Sequence, residues 1–107
     1  MSGPHYTYIL ASKRRGALFV GSTRDLADCV LEHKANLVDG LTSLYAIHML
    51  VYYEVFPAAG PALLRQAELR QLHRRLKLHL IEQLNPGWHD LYDFIVSNTS
   101  NRSEAPA

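Results

Sequence analysis

Cys29 and His33 stand four residues apart, a spacing that puts a thiol and an imidazole on one face of a helix. Such a pair can serve as nucleophile and base where the thiol pKa is depressed. The same spacing suits a small hydrophobe and a hydrogen-bonded histidine in the buried stripe of an amphipathic helix, which is the commoner arrangement and the expectation here. Arg65, Arg70, Arg74, Arg75 and Lys77 form a second group, with Glu68 the only acid before Glu82. Clustered cations of this kind suit phosphate better than an ordinary solvated face does. His73 and His79, six apart, do not share a helix face and make no metal pair. Tyr8 and Phe19 lie in aromatic and aliphatic runs where strand packing accounts for either of them. His5, His48 and His89 have no partner that spacing identifies.

Strands and helices must position these groups, and the residue pattern marks them out. Tyr6 to Ala11 is aromatic, β-branched or aliphatic, Ser12-Lys13-Arg14-Arg15-Gly16 interrupts it, and Ala17-Leu18-Phe19-Val20 follows with Gly21 closing the run. This predicts a hairpin with a five-residue basic loop. Ser22 or Thr23 is expected to cap a helix whose first turns carry Asp25, Asp28 and Glu32, acids that a helix N-terminus favours. Leu26, Cys29, Val30, His33 and Leu37 form its inward stripe, and Asp39-Gly40 marks the turn after it. Met49 to Phe56 reads as a third strand ended by Pro57. Gly60-Pro61 then opens a helical pattern, one helix or two, with no further Gly or Pro before Asn85-Pro86-Gly87. Leu69, Leu72, Leu76 and Leu80 give it an apolar seam, and Trp88, Leu91, Tyr92, Phe94 and Ile95 pack back on the core. The order β-β-α-β-α-α predicts an α+β fold with a small antiparallel sheet.

Composition bounds the partners. The chain has 107 residues, 48% of them hydrophobic and 20% charged, enough for one packed core. A single domain over residues 1–95 is expected, with residues 96–107 a disordered tail, because from Ser97 onward no large apolar residue occurs. Its two glycosylation-like triplets, at Asn98 and Asn101, are expected by chance. Eleven Lys and Arg against ten Asp and Glu leave a net charge of +1, so any basic face comes from local clustering. One Cys and no apolar leader argue against secretion, a disulfide framework and a thiolate zinc site, which makes the cytoplasm the expected compartment. Thr42, Ser43, His48 and Glu54 interrupt the most apolar stretch, which falls short of the roughly 18 residues that span a bilayer, so no membrane partner is expected.

Several ordered motifs carry a family resemblance. Tyr6-Thr7-Tyr8-Ile9-Leu10, Leu18-Phe19-Val20-Gly21-Ser22-Thr23-Arg24-Asp25-Leu26 and Glu32-His33-Lys34 resemble the GIY-YIG endonuclease domain in its short stand-alone bacterial form. The likeness continues through Leu50-Val51-Tyr52-Tyr53-Glu54, the basic helix from Arg65, and Leu80 to Leu91, covering about residues 5–92. It implies a three-stranded antiparallel sheet flanked by helices. It also implies phosphodiester cleavage: one divalent ion held by a helix glutamate, a first-motif tyrosine and a neighbouring His, Lys or Tyr handling the attacking water, and an arginine on the first helix neutralising the phosphate.

Carried across position by position, the resemblance places the first tyrosine on Tyr8 and the histidine on His33, as vestigial catalytic residues. The tyrosine of the second motif falls on Phe19, which can neither take nor give a proton. The arginine falls on Cys29, and the metal-binding glutamate, counted back from Leu80-Ile81-Glu82, falls on Gln66. Asn85 corresponds to an asparagine some members use late in the chain. A neutral amide does not replace a carboxylate as sole protein ligand of a hard dication, and a thiol does not spread positive charge as a guanidinium does. Glu68 lies two positions on, about 200° around the helix, and takes over only if the register shifts; Glu54 is the other candidate substitute.

The expectation is therefore a degenerate domain that binds nucleic acid, DNA foremost, with little or no cleavage, no resident metal and no small-molecule cofactor. Arg24, Arg70, Arg74 and Lys77 are its expected backbone contacts. One alternative is an active structure-specific endonuclease using Mg²⁺ or Mn²⁺ on a relocated ligand. The other is a protein-interaction domain, with a protein partner or a second copy of itself.

Overall fold

The aromatic, β-branched and aliphatic run Tyr6-Thr7-Tyr8-Ile9-Leu10 makes up most of β1 (His5–Ala11), the centre of the sheet. The computed structural model describes residues 3–35 and 45–97. After β1 come β2 (Leu18–Thr23), α1 (Leu26–Lys34), β3 (Met49–Phe56), α2 (Ala59–Gln71) and α3 (Arg74–Leu84), then a helical segment over residues 92–97. The strand order is β2-β1-β3, and both pairings are antiparallel. The predicted α+β architecture, with three strands and flanking helices, is what forms.

Alternation along β1 sorts the core onto two faces. Ile9 and Ala11 pack with Val20, Tyr52, Leu69, Ile81 and Trp88 on the α2–α3 side. Tyr8 and Leu10 pack with Leu26, Val30, Ile47, Leu50 and Ile95 on the α1 side. Ile9 pairs with Tyr52 but Leu10 pairs with Leu50, so Val51 is an extra residue in β3. This bulge lets the consecutive residues Val51 and Tyr52 both reach the α2–α3 side. Leu69 and Ile81 are wholly buried there, each a burial of about 1.5–3 kcal/mol.

The helix α2 is pinned to the central strand. The Thr7 hydroxyl donates to the Ala62 carbonyl at 2.7 Å, and Ala62, wholly buried, is small enough for that approach. The long helical pattern divides at Leu72 and His73, both with extended ψ, and the His73 ring accepts from the Arg75 N–H at 3.3 Å as an N-cap. The expected leucine seam therefore does not continue. Leu72, Leu78 and Leu80 reach the core, and Leu76 is 48% exposed.

Other local expectations need correction. Asp25, not Ser22 or Thr23, caps α1 by accepting from the Asp28 N–H at 3.1 Å, because Thr23 is engaged one step earlier with the Asp25 N–H. The hairpin loop also includes Ala17, whose N–H donates to the Ser12 hydroxyl and whose carbonyl accepts from the Ser12 N–H, both at 3.0 Å. Residues 96 and 97, expected to begin the tail, are helical, and Val96 packs against the α1-side core; Leu37, Asp39-Gly40 and the rest of the expected tail, from residue 98 on, lie outside the described residues.

Candidate functional site

The β1–β2 register sets Tyr8 opposite Gly21. A Cβ at Gly21 would lie 2.5 Å from the Tyr8 hydroxyl, so only glycine lets that ring lie across β2. Phe19 follows on the same face of β2, and α1 brings Cys29 and His33 over both rings. The ring centroids are 6.3 Å apart for Tyr8–Phe19 and Tyr8–His33, and 5.5 Å for Phe19–His33. The Tyr8 hydroxyl and the Cys29 thiol share a hydrogen bond at 3.2 Å. Four of the residues singled out by sequence thus converge in one aromatic cleft.

Burial keeps this cleft uncharged. It holds the Tyr8 hydroxyl far above its usual range, assisted by the Cys29 hydrogen bond. It pushes the Cys29 thiol up and the His33 imidazole down. A nucleophilic pair needs the opposite shift at the thiol; Cys29 is partly buried against the α1-side core and His33 is buried beside it. Glu32 adds a negative field to all three groups. The opposing cation comes from α2: Arg70 reaches around the open edge of β2, donating to the Val20 carbonyl from Nε at 3.0 Å and Nη2 at 2.8 Å. Its guanidinium carbon lies 5.9 Å from the Phe19 ring centre.

Gln66 is half-buried in α2, one turn from Ala62 and just under one from Leu69, on the side that meets the sheet. Helical geometry puts Gln66 and Arg70 toward β2, and Arg65 and Glu68 toward β3. The carboxylates considered as replacements are both engaged on that far side. Arg65 donates from Nε to Glu54 Oε1 at 3.0 Å, from Nη2 to Glu54 Oε2 at 3.1 Å, and from Nη1 to Glu68 at 3.1 Å. Tyr52 also donates to Glu54, and burial together with that bond raises the phenol to about 12. Among the described residues no three His, Cys, Asp or Glu side chains gather to hold a metal ion. The position to which the resemblance assigns the metal ligand carries the Gln66 amide, a poor sole ligand for a hard divalent cation.

The expected nucleic-acid contacts fall on two surfaces. Arg24 is exposed just after β2, and Arg70 borders the cleft. Arg74 and Lys77 are on α3, where Arg74 Nη2 donates to the carbonyls of Arg15 at 2.6 Å and Gly16 at 2.9 Å. Asn85 serves packing instead of the cleft: buried behind β3, its amide donates to Val51 and His89 carbonyls and accepts from the His89 N–H. Sequence reasoning missed the clasp between the hairpin loop and α3. There Arg15 forms a fork to Glu82 at 3.0 and 2.9 Å, and the buried Trp88 indole donates to the same carboxylate at 2.7 Å. The basic loop was visible; its partner 67 residues away was not. A separate groove of about 370 Å³ is lined by Tyr52, Tyr53, Leu84, Leu91 and Phe94.

The GIY-YIG catalytic domain profile matches residues 4–89. With that match over most of its length, and with this sheet order and aromatic cleft, the chain belongs to the GIY-YIG family. Its relatives include a UPF0213 protein of Staphylococcus saprophyticus, 32% identical over 79 residues, covering 74% of this chain and 95% of the relative. A UPF0213 protein of Staphylococcus haemolyticus is 30% identical over 79 residues, with the same coverage of 74% and 95%. The solution NMR structure of a UPF0213 protein from Bacillus halodurans superposes with a TM-score of 0.51 at 24% identity, covering 81% of this chain and 92% of that one, and shares the fold. No helix among the described residues is long and apolar enough to cross a membrane.

Proposed function

We propose that this GIY-YIG domain binds nucleic acid, DNA foremost, through its phosphate backbone and does not cut it. The observation that carries the reading is the state of the cleft: Tyr8 is in place, yet its hydroxyl meets the Cys29 thiol where the family resemblance puts a guanidinium. Gln66 stands where that resemblance puts the metal-binding carboxylate, while Glu54 and Glu68 are spent on Arg65. A transferring phosphate here would find no carboxylate at position 66 to hold a metal ion and no guanidinium at position 29, and losing one such stabiliser costs on the order of 100- to 1000-fold in rate. The exposed arginines and lysines supply sequence-independent affinity for phosphates.

The test is incubation of the purified protein with nicked and branched DNA in Mg²⁺ or Mn²⁺. Retention of the DNA without cleavage is the expected result; turnover that a chelator abolishes overturns the reading in favour of an active endonuclease. The triple variant Phe19→Tyr, Cys29→Arg, Gln66→Glu is expected to gain metal binding, with nicking as the further readout. The protein-interaction reading has the apolar groove beside Leu84 and Phe94 in its favour, and failure of the protein to retain DNA at low salt would select it.

A further inference from the structure

Cations are distributed unevenly over this fold. Arg15, Lys34 and Arg65 are ion-paired. Of the seven that make no ion pair among the described residues, Arg24 and Arg70 lie beside β2, while Lys13, Arg14, Arg74, Arg75 and Lys77 belong to the β1–β2 loop or to α3. Glu82, the carboxylate of α3 that meets the loop, is already engaged by Arg15 and Trp88. We propose that a phosphodiester backbone lies along the ridge made by this loop and α3, outside the aromatic cleft, with Lys13, Arg14, Arg74 and Arg75 as its phosphate contacts. The inference rests on the nucleic-acid reading above and says where that contact falls.

The ridge is built to stay in place. Arg74 ties the loop to the start of α3 through the carbonyls of Arg15 and Gly16. The Arg15–Glu82 fork ties it two turns further along, and Arg14 reaches the Pro86 carbonyl beyond the helix end at 3.4 Å. Inside the loop the Gly16 N–H donates to the Lys13 carbonyl at 2.9 Å. Arg15 itself has φ 55°, the left-handed region where glycine is the comfortable residue, and the fork to Glu82 explains why arginine is held there. Arg75 and Glu82 are seven residues apart and share a face of α3, so Arg75 sits beside the docked loop. Arg14 and Arg74, held in this way, lose less entropy on binding than free side chains do. An eleven-residue helix is about 16 Å long, and a DNA strand carries a phosphate about every 3.4 Å of axis, so the ridge can follow several phosphates at once.

The cleft is the poorer site for an anion. Asp25, Asp28 and Glu32 lie along α1 beside it, and the Asp28 carboxyl is pushed up chiefly by the charge of Asp25. A phosphate over Tyr8 would face these carboxylates, with Arg70 as the nearest guanidinium.

The test is fluorescence anisotropy of a labelled 20-base-pair duplex, read against salt. Lys13 and Arg75 make no side-chain hydrogen bond among the described residues, so the double variant Lys13→Ala, Arg75→Ala is expected to melt with the wild type. It should lose about 25-fold in affinity near 0.15 M salt, about fivefold per contact, with the slope of log K against log salt reduced by about 2. Arg75→Lys beside an intact Lys13 should keep most of the affinity, because a point charge suffices at a phosphate. A wild-type protein that does not bind at low salt overturns the nucleic-acid reading itself. A wild type that binds, with the ridge variant retaining its affinity within twofold or losing less than Arg24→Ala, Arg70→Ala, overturns the ridge alone. Displacement of the duplex by polyglutamate of equal charge as readily as by RNA would overturn the phosphodiester assignment.

Discussion

His33 sits between two aromatic rings and is 4% exposed, so the folded chain has little room for its charged form. Burial lowers its pKa from the ordinary 6.5. As pH falls through about 6.5 the unfolded chain takes up this proton before the folded one does, so the stability is present above that pH and is lost below it. The melting temperature should therefore drop between pH 7.5 and pH 5.5, and His33→Gln should flatten the drop. Glu82, held low by its hydrogen bonds with Arg15 and Trp88, gives a second loss only in acid, below the ordinary carboxylate value of 4.5. An unchanged pH slope in His33→Gln would mean that the imidazole binds its proton equally well in the folded and the unfolded chain. Tyr8, Phe19, Cys29 and His33 were legible as one group only through the family resemblance, since the i, i+4 spacing by itself links Cys29 with His33 alone. Arg70 was legible only as a basic residue, since its course around the edge of β2 depends on where α2 comes to rest.

The strands and α1 were readable because each is governed by local preference: a β-branched and aromatic run for β3, acids in the first turn for α1. The division between α2 and α3 was not, because no Gly or Pro marks it and the cap is a histidine ring. The clasp of the loop on α3 was invisible for another reason, its partners being 58 to 67 residues apart in sequence. The docking of α2 is likewise a tertiary matter, and Thr7 gives it a direct test. Its hydroxyl bonds the Ala62 carbonyl with both residues wholly out of water. Thr7→Val keeps the shape and removes the bond, so it should lower the unfolding free energy by about 1 kcal/mol in urea titration. Thr7→Ala should cost more, because a methyl group's packing goes as well. A Thr7→Val protein as stable as the wild type would mean that the helical N–H donor already satisfies that carbonyl.

A net charge of +1 conceals a molecule with an acidic helix and a basic ridge. Such a molecule should bind a polyanion far better than its total charge suggests, since counterions are released only where phosphates meet clustered cations. Four phosphate contacts give a slope near −3.6 for log K against log salt, so duplex affinity should fall by about 10²-fold between 50 and 200 mM salt. Base sequence should matter little, as phosphate contacts carry no base information. EDTA should leave the affinity unchanged, because lysines and arginines supply all the positive charge invoked. Electrophoretic mobility shift across a salt series, with and without EDTA, measures each of these quantities. Affinity flat across that range would mean that a dry apolar surface carries the contact, and affinity abolished by EDTA would mean that an ion bridges the cleft to the phosphate after all.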